Sequence, residues 1–274
     1  KVHSSNKVVV TWFHVEPDDY RLANIDRAIP FVDMWHTSCE LTRVLLTNSG
    51  VDPNKICVIP IGVDLKVHRP VDESARKSLR ERLGIKKDDI VIGSFQKDGN
   101  GWDEGLIPKY IKGPDIFCDV VHSLAKKYSI FVLLTGPARG YVKTRLKESN
   151  IRYHHSCFDD PSDAAAYYAA LDLYLVSSRA EGGPKALMES MASGIPLVTT
   201  KVGMAPDMVV DGFNAFMTPV DNVEELISKI ETLINSPQLR SKFVENGFVT
   251  VQKYDWSVIA TSYKNELYAG LIND

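Results

Sequence analysis

Residues 171–190 read LDLYLVSSRAEGGPKALMES. The first part, LDLYLVSS (171–178), is a nearly continuous apolar run, the pattern of a strand covered on both faces. Gly182, Gly183 and Pro184 then turn the chain, with Pro184 expected at the first helical position, where a missing N–H costs nothing. Ala186, Leu187 and Met188 carry the helix on to Met191 and Ala192, and Gly194 with Pro196 stops it. A buried strand that passes through glycines into a helix is the repeating unit of a parallel α/β sheet.

Outward from this stretch the same alternation continues. Strands are expected at Val8–Phe13, Met34–Thr37, Ile56–Pro60, Ile90–Phe95, Ile130–Thr135, Ile151–His154, Leu171–Val176, Leu197–Thr200 and Ala215–Met217. Helices are expected at Asp115–Tyr128, Pro161–Ala170 and Asp221–Asn235, the last with one apolar stripe through Val223, Leu226, Ile227, Ile230, Leu233 and Ile234. A seam follows IPIGVD (59–64), where the charged stretch 72–87 separates two units. Residues 63–254 hold six of the strands, a complete Rossmann-like unit. Residues 1–62 hold three, so the first domain is expected to be partial, and the chain, which does not begin with Met, is expected to start inside a longer polypeptide. A terminal helix in 255–274 is expected to pack back on the first unit. The stretch Lys97–Lys112, KDGNGWDEGLIPKYIK, is the nearest to a disordered loop, and it follows a strand end, where open α/β sheets bind ligands.

Net charge is −3 with both signs interspersed, which argues against a surface that coats nucleic acid. No apolar run reaches the ~18 residues that span a bilayer. Cys39, Cys57, Cys118 and Cys157 have no C-x-x-C spacing and are expected to be free, buried thiols in a reducing compartment. No His, Asp and Cys cluster has metal-ligand spacing, so no bound metal is expected.

The helix start after Glu181 offers N–H groups and positive potential to phosphate, while Glu181 and Glu189 can accept from hydroxyl groups. Phosphate plus hydroxyls is the chemistry of a nucleotide-sugar. A retaining glycosidase would need its two carboxyl groups ~5 Å apart. Eight residues of helix rise ~12 Å, so hydrolysis by that device is disfavoured. A dinucleotide-dependent oxidoreductase is disfavoured too, because Gly99, Gly101 and Gly105 do not fit G-x-G-x-x-G.

These residues resemble the retaining glycosyltransferases of family four (glycosyl transferases group 1). The likeness runs through CVIPIGVD (57–64), VIGSFQK (91–97), IKGPDIF (111–117), VLLTGPARG (132–140), EGGPKALMES (181–190) and GIPLVTTKVGMAPDMVVDGFNAF (194–216). It implies an α/β protein of GT-B fold: two Rossmann-like, doubly wound parallel-sheet domains facing across a cleft, the first one partial in this chain. It also implies transfer of a hexose from a nucleotide-diphosphate sugar, such as GDP-mannose or UDP-glucose, to a hydroxyl acceptor, without metal or cofactor. The alternative is a donor-binding module of the same fold that does not transfer.

By the same resemblance, Lys97 and Lys112 bind the donor diphosphate, with Lys97 standing where Arg is usual and lacking its bidentate fork. Glu181 serves the donor sugar or the positive character at its anomeric carbon, and Glu189 the ribose. Gly136, Gly182, Gly183, Lys185 and Ala186 line the phosphates and sugar, and Pro184 replaces the more usual glycine. His14, closing VVVTWFH (8–14), contacts the sugar. From their place at the end of another strand, and not from the resemblance, His154 and His155 are expected as edge residues approaching the base. The acceptor is a glycan, lipid or small molecule. A cytoplasmic place with peripheral contact at the inner membrane face is a further implication, although Lys1, Lys7, Arg21 and Arg27 form no basic amphipathic helix.

Overall fold

The computed structural model describes residues 6–14, 16 and 18–272. Three short parallel strands, β1 (Val9–Thr11), β2 (Met34–Thr37) and β3 (Ile56–Val58), lie in that order, with Val10 opposite Trp35 and Trp35 opposite Ile56. Helix α1 (Glu40–Asn48) connects the second to the third.

A second sheet holds six parallel strands: β4 (Ile90–Phe95), β5 (Ile130–Thr135), β6 (Arg152–Ser156), β7 (Leu173–Val176), β8 (Leu197–Thr200) and β9 (Phe216–Thr218). Their order is β6-β5-β4-β7-β8-β9. The chain therefore starts at the centre, steps twice to one edge, returns across β4 and steps to the other edge. That order opens a crevice where β4 and β7 part, at the carboxyl ends of the strands.

The strand-to-helix pattern has a direct packing cause. Alternate residues of each strand face opposite sides. Val91, Leu133, Tyr174 and Leu197 enter one core, and Ile92, Val132, Leu134, Leu175 and Val198 enter the other. The first core is closed by α6 (Ala186–Ala192), among others, and the second by α3 (Pro114–Ala125), α4 (Gly140–Glu148) and α8 (Val223–Asn235). Between these run α2 (Glu73–Arg82), α5 (Ala165–Tyr168), α7 (Ala205–Met208) and α9 (Pro237–Val251).

Several expectations shift. The charged stretch 72–87 contains α2, capped by the Asp72 side chain on the Ala75 N–H at 2.8 Å. Its stripe is narrow because Arg76 and Arg80 lie along the sheet and donate to Asp172 and to the carbonyls of Ala169, Ala170 and Leu171. Helix α6 starts at Ala186, not at Pro184. The Pro184 carbonyl accepts from the Leu187 N–H, so Pro184 belongs to the lead-in turn. Stretch 97–112 is an ordered hairpin-like loop: Gly99 bridges Pro108, and the Lys109 N–H donates to the Asp98 carbonyl at 2.8 Å. All four cysteines are free, but only Cys39 and Cys118 are buried; Cys57 is half-buried and Cys157 is exposed, beyond the end of the edge strand β6.

The segment from Trp256 to Ile272 is helical, with a π-helical stretch over Tyr263–Tyr268. Its Ile259 and Leu267 pack with Ile59 and, less deeply, Val9 and Met34 of the first sheet. Among the described residues no helix is long and apolar enough to cross a membrane.

Candidate active site

The carboxyl ends of β4, β5 and β7 surround a cavity of about 370 Å3. It brings together Lys97, Lys112, Gly136, Glu181, Gly183, Lys185, Ala186 and Glu189, which are far apart in sequence. Gly182 and His14 do not line it.

Lys112 and Glu181 meet directly. The Lys112 Nζ lies 2.6 Å from both oxygens of Glu181, and the Ser178 hydroxyl donates to Oε1 at 2.9 Å. Their positions follow from local backbone. Lys112 ends a single turn, Tyr110–Lys112, closed by Gly113 at φ +62°. A side chain on Gly113 would overlap the Ser177 carbonyl oxygen, so only glycine lets this turn sit against the end of β7.

Arg179 locks the same turn. Its N–H donates to the Ile111 carbonyl at 2.8 Å, and its guanidinium donates to the Tyr110 carbonyl, to both oxygens of Asp115 and to Asp221. Burial by itself would raise the Asp115 pKa, but the hydrogen bonds and charge of Arg179 outweigh it and hold the carboxyl below its ordinary value.

Glu189 occupies another part of the wall. The buried Tyr168 hydroxyl donates to its Oε2 at 2.9 Å, and the His68 Nε2 stands 3.8 Å from its Oε1. Burial holds the His68 ring below its ordinary pKa. Lys97 also lines the cavity, with its ammonium 3.5 Å above the ring of the exposed Trp102.

The loop over this region rests on a buried ion pair. Arg139 Nε lies 2.9 Å from Asp98, and Arg139 donates to the carbonyls of Ser94, Gln96 and Thr135, tying together the ends of β4 and β5. Burial pushes the Asp98 carboxyl up, against the pull of Arg139.

His14 follows β1. Its Nε2 is 3.5 Å from Glu16, and its Nδ1 is buried without a partner among the described residues. The adjoining Phe13 carbonyl abuts Gly182 so closely that a Cβ there would overlap it. This contact brings the end of the first sheet onto the Glu181 turn.

His154 and His155 are a correction. They do not line the cavity, because their rings are committed elsewhere: His154 Nε2 to the Ser156 hydroxyl at 2.9 Å, His155 Nε2 to the Gly136 carbonyl at 2.8 Å. The next residues, Cys157 and Phe158, take that wall. His68, Phe95, Cys157, Phe158 and Tyr174 are lining residues that were not singled out from the sequence; Phe95 and Tyr174 lie within the strands read there, and no local motif marks the other three. Ser178, three residues before Glu181, was the one readable partner.

A wider depression of about 700 Å3 lies at the opposite, amino-terminal edge of the sheet, along α2 and Ile90. Its Arg76 and Arg80 are spent on Asp172 and backbone carbonyls, and the crevice rule places ligands at the other strand ends. Among the described residues, no group of three or more His, Cys, Asp or Glu could hold a metal ion.

The sequence profile of the family described as "Glycosyl transferases group 1" matches residues 106–249. A D-inositol 3-phosphate glycosyltransferase of Corynebacterium aurimucosum is 25% identical over 244 residues, covering 83% of this chain and 54% of that protein. A second such enzyme, of Segniliparus rotundus, is 26% identical over 236 residues, 81% of this chain and 50% of its own. The chain thus spans about half the length of these curated relatives. A crystal structure of Anabaena Alr3699/HepE in complex with UDP-glucose superposes with a TM-score of 0.82 at 22% identity, covering 96% of this chain and 72% of that one. That likeness establishes the GT-B fold.

Proposed function

The chain belongs to the glycosyl transferases group 1 family, and on that footing we propose that it transfers a hexose, with retention, from a nucleotide-diphosphate sugar to a hydroxyl acceptor. The observation that carries this reading is the Lys112–Glu181 pair on the cavity wall, with Glu189 on the same cavity. Breaking the sugar–phosphate bond builds negative charge on the diphosphate and positive character on the sugar carbon. A fixed ammonium group lowers the first and a carboxylate the second. Lys112 serves the diphosphate, joined by Lys97 once its ammonium leaves the Trp102 ring. Glu181 serves the sugar. Backbone groups of Gly136, Gly183, Lys185 and Ala186 adjoin the phosphates and sugar, and Glu189 accepts from the ribose. Gly182 and His14, which lie outside the cavity wall, are proposed to reach the sugar from the side of the first sheet.

Lys112 and Glu181 neutralise one another. An incoming diphosphate competes for the ammonium and leaves Glu181 facing the sugar. The lysines supply the positive charge, so the proposed transfer is metal-independent and uses no cofactor. UDP-glucose is the donor to test first, because the HepE structure is a complex with it. The acceptor is a glycan, lipid or small molecule, reached at the cytoplasmic side and, for a lipid, at the inner membrane face.

A second reading, donor binding without transfer, draws on the three-stranded first sheet, since the acceptor belongs on that side of the cleft. The test is incubation of this chain, and of a version extended at its N-terminus, with labelled UDP-glucose and GDP-mannose in the presence of EDTA. Product from either supports transfer; product from the longer version alone supports the second reading for this chain. No binding of either donor, with Lys112→Ala indistinguishable from wild type, would overturn both.

A further inference from the structure

His68 lies outside every motif that located the site, yet it lines the cavity beside Glu189. It is placed by a tight turn. The Asp64 side chain accepts from the Lys66 N–H at 2.8 Å, and the Asp64 carbonyl accepts from the His68 N–H at 2.9 Å. The ring then stands edge-on to Tyr168, with centroids 5.6 Å apart and planes at 80°. Only 11% of the His68 side chain is exposed.

The two ring nitrogens are in different positions. Nδ1 is buried with no partner among the described residues, while Nε2 faces Glu189 Oε1 at 3.8 Å. A hydrogen on Nδ1 would be a buried, unpaired donor, whereas an unprotonated Nδ1 leaves only an unpaired acceptor and puts the hydrogen on Nε2, toward the carboxylate. Burial, which disfavours the imidazolium, agrees with a neutral ring. Tyr168 holds the other oxygen, Oε2. The carboxylate is thus flanked by two neutral donors, one in hydrogen-bond contact and one within an ångström of it. Its outward lone pairs are left to the cavity.

Resting on the donor-site reading above, we propose that His68 is a positioning residue: through Nε2, together with the Tyr168 hydroxyl, it aims the Glu189 carboxylate into the cavity to accept from the vicinal hydroxyl groups of a nucleotide ribose. His68 does not touch the ligand in this role. It closes the short remaining gap to Oε1 when the ribose loads the carboxylate, since such contacts tighten in the bound complex.

The test is calorimetric titration of the wild type, His68→Phe, His68→Gln and Glu189→Gln with UDP, GDP and ADP and with their 2′,3′-dideoxy counterparts. Phe keeps the ring contact on Tyr168 and removes Nε2; Gln restores a donor. For the best-bound ribonucleotide, His68→Phe is expected to weaken binding about tenfold, and the dideoxy form less than about twofold, as befits a hydrogen bond to a charged group. His68→Gln is expected to recover most of the loss. With a donor that turns over, His68→Phe raises KM and leaves kcat in place. Equal weakening of ribo and dideoxy forms would reduce His68 to a wall residue and overturn the proposal, as would unchanged binding of the ribonucleotide. If Glu189→Gln loses the ribose preference while His68→Phe keeps it, only the His68 role falls. If Glu189→Gln keeps that preference, the site reading itself falls and this proposal with it.

Discussion

Glu181 and Lys112 form an ion pair whose two members have opposite tasks in the proposed transfer, so their substitutions separate. Glu181→Gln removes the negative charge and frees the Lys112 ammonium, which is 2.6 Å from both of its oxygens. Transfer is expected to fall by about a hundredfold or more, while affinity for the nucleoside diphosphate is unchanged or higher. Lys112→Ala is expected to weaken that same ligand by about tenfold. Calorimetry and a labelled-donor assay on the two variants check this. Near-normal transfer by Glu181→Gln would remove that residue from the chemistry. Glu181→Gln keeps a side-chain oxygen that accepts from the Ser178 hydroxyl, so this contact does not confound the two readouts.

At the scale of elements, Arg179 joins the Tyr110–Lys112 turn, the start of α3 and the approach to α8. Arg179→Met removes these bonds and is expected to cost about 1–2 kcal/mol at neutral pH, after allowance for partial exposure. Donor binding should weaken as well, because Lys112 loses its seat. The pH dependence has a definite sign. The Asp115 pKa is lower in the folded chain than its ordinary value, so the unfolded state takes up the proton first as pH falls. The contribution is present above the ordinary Asp range of about pH 4 and disappears below it. Urea midpoints measured from pH 7 to pH 3 should fall less steeply for Arg179→Met than for the wild type. Parallel curves would deny the pair its role. Asp98 and Arg139 brace the neighbouring loop in the same way but out of solvent, where deletion of one partner is expected to cost about 3–5 kcal/mol. Arg139→Met therefore should lower the denaturation midpoint more than Arg179→Met.

At the scale of the whole molecule, the two sheets meet at few points, and the site lies beside them. The Phe13 carbonyl rests on Gly182, Ile61 on Gly183, and the Asp207 carboxylate accepts from the Glu40 N–H at the start of α1, at 3.0 Å. The chain crosses between the sheets twice, at Val63 and at Asp255, and the two crossings are paired: the Val63 N–H donates to the Tyr254 carbonyl and the Trp256 N–H to the Val63 carbonyl. Gly182→Ala drives a methyl group into backbone rather than into a flexible side chain. It is expected to cost about 1–3 kcal/mol and to displace the His14 loop from the Glu181 turn. Thermal melts with and without UDP or GDP check both effects, since a ligand that binds the folded state raises the midpoint by mass action. A variant that melts and responds as the wild type does would show that the junction is loose.

The sequence by itself determined the element list around the crevice. β2, β4, β5 and β8 run over the residues expected for them, most directly β5 (IFVLLT), because strands covered on both faces carry their signal in consecutive residues. Helices α1, α2, α4, α7 and α9 were not among those expected; in α2 the arginines lie along the sheet and the apolar face is thin. For the site, residue type and the flanking turn singled out Glu181 and Glu189, and the family resemblance pointed to Lys112. It put His154 and His155 on the wall, and whether a histidine faces a cavity or a carbonyl depends on a neighbour 19 residues away, Gly136. His68 was invisible for the same reason: its partner Glu189 lies on another element. Only the tertiary structure decided which charges neutralise one another and which donors stand behind a carboxylate. Those are distances across the crevice between β4 and β7, and no local pattern of residues encodes a distance between segments that meet only when the sheet closes.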